Sequence, residues 1–273
     1  MSLEQLRGKT LVVKYGGNAM IDAKLKRSFA SDVVELANHG IRVVVVHGGG
    51  PQINEMLARL SIESSFAGGF RVTDSKTMDV VQMVLGGAVQ PEIVSLIHQA
   101  GGRAVGISGI DAALLECERR EVIVDGVSTD IGLVGEVVAV NSEILTTLIS
   151  ASYIPVVSSF GSDGLGHVLN VNADTAAGAI AGSLAAHALI MLTDVPGLYA
   201  NWPNTEEIVD ELSAEGLRDL LPSLTSGMVP KMEGCLNALV LGAKSALIID
   251  GRLEHGLLSA LSSDVIQGTR IVP

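Results

Sequence analysis

Hydrophobic and polar positions along the chain follow two rhythms, short continuous runs and stripes at helical spacing. Thr10–Tyr15 (TLVVKY) is a β-branched run ending at Gly16-Gly17, which predicts a strand followed by a tight loop. Leu25, Phe29, Val33 and Leu36 then recur at helical spacing, and Gly40 closes that helix. Ile41–Val46 is a second apolar run, and it leads into His47-Gly48-Gly49-Gly50-Pro51. Ile53, Met56, Leu57 and Leu60 form a helical stripe directly after Pro51, a residue suited to a first helical turn. The first 60 residues therefore read strand–loop–helix, twice. Strands that are apolar throughout, without alternation, belong in a sheet covered on both faces.

The same reading predicts helices over Ser75–Leu85 and Pro91–Ala100 and a strand over Arg103–Ile107. Leu114–Glu118, Glu121–Val124, Val127 and Val134–Val140 are short extended pieces around an Asp125-Gly126 turn, read as an antiparallel insert at a sheet edge. Asn141 is placed to cap a helix to Ser150, and Ile154–Ser158 returns as a strand. After a turn at Asp163-Gly164 come a strand over Val168–Val171, a helix from Asp174 to Ala186 and a strand over Leu189–Leu192. A turn at Asp194–Gly197, helices near Ala214–Leu221 and Lys231–Leu241, and strands over Ala246–Ile249 and Thr269–Val272 complete the chain. The class is α/β. Two lobes, 1–185 and 186–273, are expected.

Composition narrows this further. A chain of 273 residues with 48% hydrophobic and 18% charged residues is globular and long enough for one large domain or two. A net charge of -12 argues against non-specific nucleic-acid binding while leaving room for a local basic pocket. Cys117 and Cys235 have no CxxC partner, so they read as buried thiols in a reducing cytosol. No apolar run precedes Leu11, so no signal peptide is expected. Ile144–Ser162 and Thr175–Thr193 lack charged residues and have the length of a membrane span. Pro155 and the Ser/Thr content of the first, and the Ala/Gly content and His187 of the second, fit a helix followed by a short buried strand instead. No membrane contact and a cytoplasmic location are expected.

Two glycine-rich loops follow two strands, Lys14-Tyr-Gly-Gly-Asn18 and His47-Gly-Gly-Gly-Pro51. Glycines there let backbone N–H groups approach an anion, and a helix N-terminus adds partial positive charge. Either loop alone could be a mere tight turn. Two of them, the second opening a helix, favour phosphate binding. Neither has the G-x-x-x-x-G-K-[ST] of a Walker A loop nor the G-x-G-x-x-G of a dinucleotide site. Lys14 lies inside an apolar strand, where a lysine without an anion is costly unless it snorkels at an edge. Lys231 stands just inside a helix start, against the helix dipole, and is otherwise an ordinary exposed lysine. Strand alternation puts Asn170 and Asn172 on one face, and the simplest role for Asp174 is an N-cap. Arg71 follows Gly68-Gly69 and suits carboxylate recognition, or is a surface arginine. The histidines are scattered without metal-ligand spacing, and no protein metal site is expected.

The segments VVKYGGNAM, VVVVHGGGPQINEML, GGFRVTD, NVNADTAAGAIA, LTDVPGLY and GMVPKMEGC, in this order from about Lys9 onwards, resemble the amino acid kinase family, in particular its members acting on N-acetyl-L-glutamate. The resemblance implies a three-layer αβα sandwich with a mostly parallel open central sheet. It implies an N-terminal lobe for the amino acid and for dimerisation, and a C-terminal lobe for ATP. The family reaction moves the γ-phosphoryl group of ATP to the side-chain carboxylate, giving N-acetyl-L-glutamyl 5-phosphate for arginine biosynthesis. Carried over by position, Lys14 and Lys231 stabilise the transferring group and Asp174 orients them. Gly16, Gly17, Gly49 and Gly50 contact phosphate. Gly48, Gly49, Arg71, Asn170 and Asn172 hold the amino-acid substrate. Thr193, Asp194, Tyr199 and Met228 belong to the nucleotide pocket. ATP and Mg²⁺ are the implied cofactors, the metal resting on the phosphates, and a homodimer is the implied assembly. A glutamyl carboxylate, with an ordinary pKa near about 4.3, is already an anion at neutral pH and needs no general base.

Two departures stand out. Arginine-inhibited relatives carry an extra N-terminal helix, and only about eight residues precede the first strand here. Their C-terminal E-I-F-T-D-x-G-x-G-T segment is matched by a stretch with Ala260 at the acidic position and Ile266 at the first glycine. A dimer with little arginine inhibition is therefore expected. The rival readings are a kinase for a carrier-bound aminoadipate on the same fold, and a nucleotide-binding regulator without catalysis. Intact Lys14, Lys231 and Asp174 count against the regulator.

Overall fold

The computed structural model describes residues 2–124, 126–200, 207–224, 227–262 and 267–273. Asp125 of the expected hairpin turn, and Asp264 and Ile266 of the altered C-terminal segment, lie outside the described residues.

The chain opens with α1 (Leu3–Leu6), β1 (Thr10–Tyr15), α2 (Ala23–Asn38), β2 (Arg42–His47) and α3 (Gly50–Arg59). These are the elements that the apolar rhythm predicts. Asp22 caps α2 by accepting the N–H groups of Lys24 and Leu25. A small hairpin, β3 (Phe66–Ala67) and β4 (Phe70–Arg71), precedes α4 (Ser75–Val84). The sequence predicts a break after α4, but the helix continues through a π turn, Leu85–Val89, into α5 (Gln90–Gln99). Gly86, Gly87 and Pro91 all disfavour an α-helix here. The π turn accommodates them by shifting the ladder one residue, with the Gln90 N–H donating to the Leu85 carbonyl. Ser75–Gln99 is thus long and apolar enough to span a bilayer, but Met78, Val81, Val84, Ile93 and Ile97 bury it in the core.

The remaining strands are β5 (Ala104–Ser108), β6 (Leu115–Val124), β7 (Val127–Val140), β8 (Ile154–Ser158), β9 (Phe160–Ser162), β10 (Val168–Val171), β11 (Ala188–Thr193), β12 (Glu211–Ser213), β13 (Ala246–Asp250) and β14 (Thr269–Val272). Among them run α6 (Glu143–Ser150), α7 (Ala173–Ser183), α8 (Ala214–Leu220), α9 (Val229–Val240) and α10 (Gly256–Ser262). The main sheet has eight strands in the order β12-β14-β13-β11-β1-β2-β8-β5. Every described pair in it is parallel except β13 with β14.

Two sequence expectations change. β6 and β7 are not an insert at the edge of this sheet; they close a separate small barrel with β9 and β10. The gap between Glu118 and Glu121 is a register shift at Arg119/Glu121, and a second shift falls at Glu116/Cys117; they bend one long strand rather than ending it. Ser142, not Asn141, is the residue flanking α6, although the Asn141 side chain still accepts the Glu143 N–H. Both cysteines are buried free thiols, and burial pushes Cys117 up to about 12.

Strand alternation divides the core in two. Leu11, Val13 and Tyr15 of β1 face one apolar cluster with Phe29, Val33 and Leu36 of α2. Val12 faces the other, which holds Ala177 and Ile180 of α7 and Met232 and Cys235 of α9. Lys14 shares the face of Val12, so the strand's own periodicity points it at α7 and α9. Those two helices meet through glycine. A Cβ on Gly178 would stand 2.4 Å from the Gly234 carbonyl oxygen, and one on Gly234 would stand 2.6 Å from that of Asp174. Gly178→Ala is expected to destabilise the fold by about 1–3 kcal/mol, the usual range for overpacking. Urea denaturation checks this, and an unchanged midpoint would mean that the helices separate at no cost.

Candidate active site

β1 pairs with β11 on one side and β2 on the other. The carboxyl ends of such central parallel strands are where open α/β sheets receive ligands. Gly16-Gly17 follows β1 and Gly48-Gly49-Gly50 follows β2, so both glycine loops stand at that end. A cavity of about 310 Å³ opens there, and its walls include Lys14, both loops, Arg71, Asn170, Asn172 and Asp174. Residues far apart in the sequence are thus brought to one place.

Lys14 is not an edge lysine. β1 lies in the middle of the sheet, and Lys14 is flanked by Val46 and Met191 at the same level. Its Nζ is 2.9 Å from Asp174 Oδ1, while Lys231 Nζ is 3.1 Å from Asp174 Oδ2. One buried carboxylate therefore holds an ammonium on each oxygen. Burial alone would push the Asp174 carboxyl up, but the two lysine charges and their hydrogen bonds outweigh it and hold the group below the usual carboxylate range. Burial pulls the Lys14 ammonium down from the usual lysine range, with Asp174 opposing and Lys231 reinforcing the shift. The cluster carries two cations against one anion. A Cβ on Gly16 would come within 3.0 Å of Lys14 Nζ, so the first loop leaves its space to that ammonium.

Asp174 is not the cap of α7. Asn172 is: its Oδ1 accepts the N–H groups of Asp174 and Thr175 at 2.8 and 3.3 Å. The Asp174 carboxylate is thereby left to the lysines. Asn172 also ends the strand-face argument, since β10 stops at Val171. Asn170 donates from Nδ2 to Thr73 Oγ1 at 3.2 Å, and Thr73 donates from Oγ1 to the Arg71 carbonyl at 2.8 Å. Arg71 is not a surface arginine. It is buried, lies 4.8 Å over the Phe66 ring and donates to Ser64 Oγ. Among the described residues no carboxylate pairs with it, and burial draws its pKa down. A buried guanidinium in that state favours an incoming carboxylate.

The second loop is built for close approach. A Cβ on Gly49 would lie 2.7 Å from Leu85 Cδ2, so a larger residue there would have to push that side chain aside. Gly49 also flanks α3 and offers no side-chain cap, leaving that helix N-terminus open toward the cavity. Phe66, Phe70, Leu85 and Ser159 line the cavity as well, and the sequence reading did not single them out. Phe66 and Phe70 carry a signal in the sequence, two aromatics flanking Ala67-Gly68-Gly69. Leu85 arrives through the π turn and had none.

The four residues expected at the nucleotide do not line this cavity. Thr193 ends β11 beside Lys14's strand, but its hydroxyl is engaged by the Val195 carbonyl at 2.8 Å. Asp194 is exposed and near enough for its charge to act on Lys14. Tyr199 bridges to Ile208, and Met228 flanks α9 one turn before Met232. Among the described residues no group of three or more His, Cys, Asp and Glu side chains could hold a metal. Asp174, the carboxylate on the cavity wall, has both oxygens taken by lysines.

An open parallel sheet whose central crevice joins two glycine loops to a Lys–Asp–Lys cluster describes a kinase of small carboxylates, and the chain belongs to the amino acid kinase family, whose model matches residues 9–250. An acetylglutamate kinase from Mycobacterium sp. (strain JLS) is 54% identical over 270 residues, which cover 99% of this chain and 93% of the relative. One from Mycolicibacterium smegmatis is 56% identical over 270 residues, covering 99% and 92%. Among solved structures, an N-acetylglutamate synthase from Neisseria gonorrhoeae, complexed with coenzyme A and N-acetyl-glutamate, superposes with a TM-score of 0.86 at 24% identity. That likeness concerns the fold; it covers 99% of this chain and 61% of the larger one.

Proposed function

We propose that this chain is an acetylglutamate kinase, transferring the γ-phosphoryl group of ATP to the side-chain carboxylate of N-acetyl-L-glutamate in arginine biosynthesis. The observation that carries the reading is the Asp174 carboxylate with Lys14 and Lys231 on its two oxygens, at the wall of a cavity that two glycine loops also form. The identity to the mycobacterial acetylglutamate kinases supports the choice of acceptor.

The acceptor carboxylate is already anionic, so the reaction needs no proton removed from it. The difficulty is to bring one anion against another. Phosphoryl transfer is governed by positioning and by stabilising charge on the transferring oxygens. Lys14 and Lys231 supply that charge. Asp174 keeps both ammoniums in place. Gly16, Gly17, Gly49 and Gly50 offer backbone N–H groups from the two sides. Arg71 receives the α-carboxylate of the amino acid, Asn170 and Asn172 its N-acetyl end, and Gly48 and Gly49 its side chain. Phe66 and Phe70 add apolar surface to the cavity wall. Thr193, Asp194, Tyr199 and Met228 frame the nucleotide at the carboxyl end of β11, across Lys14 from the amino acid. Mg²⁺, when bound, would rest chiefly on the nucleotide phosphates and screen their charge, since both Asp174 oxygens are engaged by lysines. The working assembly is a cytoplasmic homodimer, with residues 1–185 binding the amino acid and 186–273 the nucleotide.

Trapping of the acyl phosphate with hydroxylamine tests this. With ATP and Mg²⁺, the hydroxamate should form with N-acetyl-L-glutamate and not with L-glutamate, L-aspartate or N-acetyl-L-aminoadipate. Signal chiefly from another acceptor would move the substrate assignment. Silence with all four, beside demonstrated ATP binding, would sink the reading.

A further inference from the structure

Behind the second glycine loop runs a chain of buried polar groups that the steps above do not use. His47, the last residue of β2, has no exposed surface. Its Nδ1 lies 3.0 Å from the Gly48 carbonyl oxygen, and its Nε2 lies 3.0 Å from Ser158 Oγ. Gln90, where the π turn ends, donates from Nε2 to the same Ser158 Oγ at 2.9 Å. Its other N–H donates to the Ile107 carbonyl, with the Val156 carbonyl 3.3 Å from the same nitrogen. A Cβ on Gly106 would overlap the Gln90 amide, so the sheet leaves room for it.

Donors and acceptors in this chain follow from what each group can offer. A carbonyl only accepts, so His47 presents an N–H at Nδ1. An amide nitrogen only donates, so Gln90 fills a lone pair of Ser158. The single Ser158 proton then goes to the bare Nε2 of His47 at 3.0 Å, the shorter of its two contacts, the other being to the Leu85 carbonyl at 3.4 Å. Burial draws His47 down to about 4, the Gly48 hydrogen bond opposing it, which keeps the ring neutral at pH 7.

In a trans peptide the carbonyl of one residue and the N–H of the next point in opposite directions. A Gly48 carbonyl turned inward onto His47 therefore turns the Gly49 N–H outward, toward the cavity that Gly49 lines. The Gly48 N–H is itself tied to the Tyr15 carbonyl at 3.2 Å. Three consecutive glycines have no side chains to fix their own peptide planes. We propose that His47 is a positioning residue, holding the Gly48–Gly49 peptide in the orientation that aims the Gly49 N–H at the transferring phosphoryl group, with Ser158 and Gln90 fixing its tautomer. His47 itself touches no substrate. The proposal rests on the phosphoryl-transfer reading.

Two measurements test it. Nitrogen NMR of the histidine-labelled protein at pH 7 reads the His47 tautomer whether or not the enzyme turns over. A neutral ring protonated at Nδ1 is expected, and an Nε2–H ring or an imidazolium would overturn the proposal. Hydroxamate kinetics compare His47→Asn, whose amide nitrogen takes the Nδ1 position, with His47→Gln, whose amide takes the Nε2 position. The Gln variant should lose at least about 30-fold in kcat, somewhat less than removing an oxyanion donor outright. Its KM for the amino acid should stay within about threefold, and the Asn variant should recover kcat to within about fivefold of wild type. Equal kcat in the two variants would overturn the proposal, as would a loss confined to KM. A wild type that traps no hydroxamate would strike the phosphoryl-transfer reading instead, and the tautomer measurement separates the two failures.

Discussion

Lys14→Ala is expected to lower kcat for acyl-phosphate formation by at least about 100-fold, the effect of removing one preorganised donor from a transition state. The KM for the amino acid should change far less, because Arg71 and Asn170 remain. Lys14 is held by a central strand with the uncharged Val46 and Met191 beside it in the sheet. Lys231→Ala should behave alike, since its ammonium shares the same carboxylate from the helix opposite. Steady-state hydroxamate assays on both purified, folded variants decide the matter. Near-normal turnover in either would remove that lysine from the mechanism.

Asp174→Ala acts on stability as well as on catalysis. It leaves two ammoniums, 9% and 19% exposed at the side chain, facing each other without a counter-charge. Breaking a buried pair in this way typically destabilises by about 3–5 kcal/mol. Lys231 is the more exposed of the two and turns aside more readily, which places the expectation nearer the lower figure. A double variant, Asp174→Ala with Lys14→Met, removes the stranded buried charge and should recover part of the stability while remaining inactive. Urea midpoints of the three proteins provide the test, and an unchanged midpoint in Asp174→Ala would show that the cluster does not help to hold α7 and α9 on the sheet. The pH dependence has a defined sign. Asp174 sits below its ordinary value of 3.8, so its contribution is present above that pH and is lost as the pH falls through the lower, folded value.

Much of this molecule is legible locally. β1, β2, α2 and α3 follow from runs and stripes within a few residues of one another, and their boundaries differ from expectation by a residue or two. Lys14 announces itself because one lysine in an apolar strand demands a partner. The partner was harder to read. Asp174 looked like a cap, and only the hydrogen bonds of Asn172 show that the cap lies two residues earlier. Helical continuity across Gly86 and Gly87 escaped because propensity is a weak prior against burial on both sides of the turn. The barrel escaped because a bulge breaks the period-two pattern that identifies a strand. Leu85 and Ser159 reach the cavity through tertiary packing, which has no period to detect.

The pairing of β1 with β11 has a consequence for any attempt to take the molecule apart. Residue 185 falls between α7 and β11, in the connection where the two lobes would be divided. Cutting there severs one covalent link but leaves a ladder from Leu11–Ala188 to Lys14–Met191 running across the cut. A fragment ending at 185 would expose the edge of β1, and its counterpart would expose β11, fully buried in the intact chain. Expressed separately, each half would be an aggregation hazard. Expressed together, they have a ready-made template for mutual recognition, and enzymatic activity would report on their reassembly.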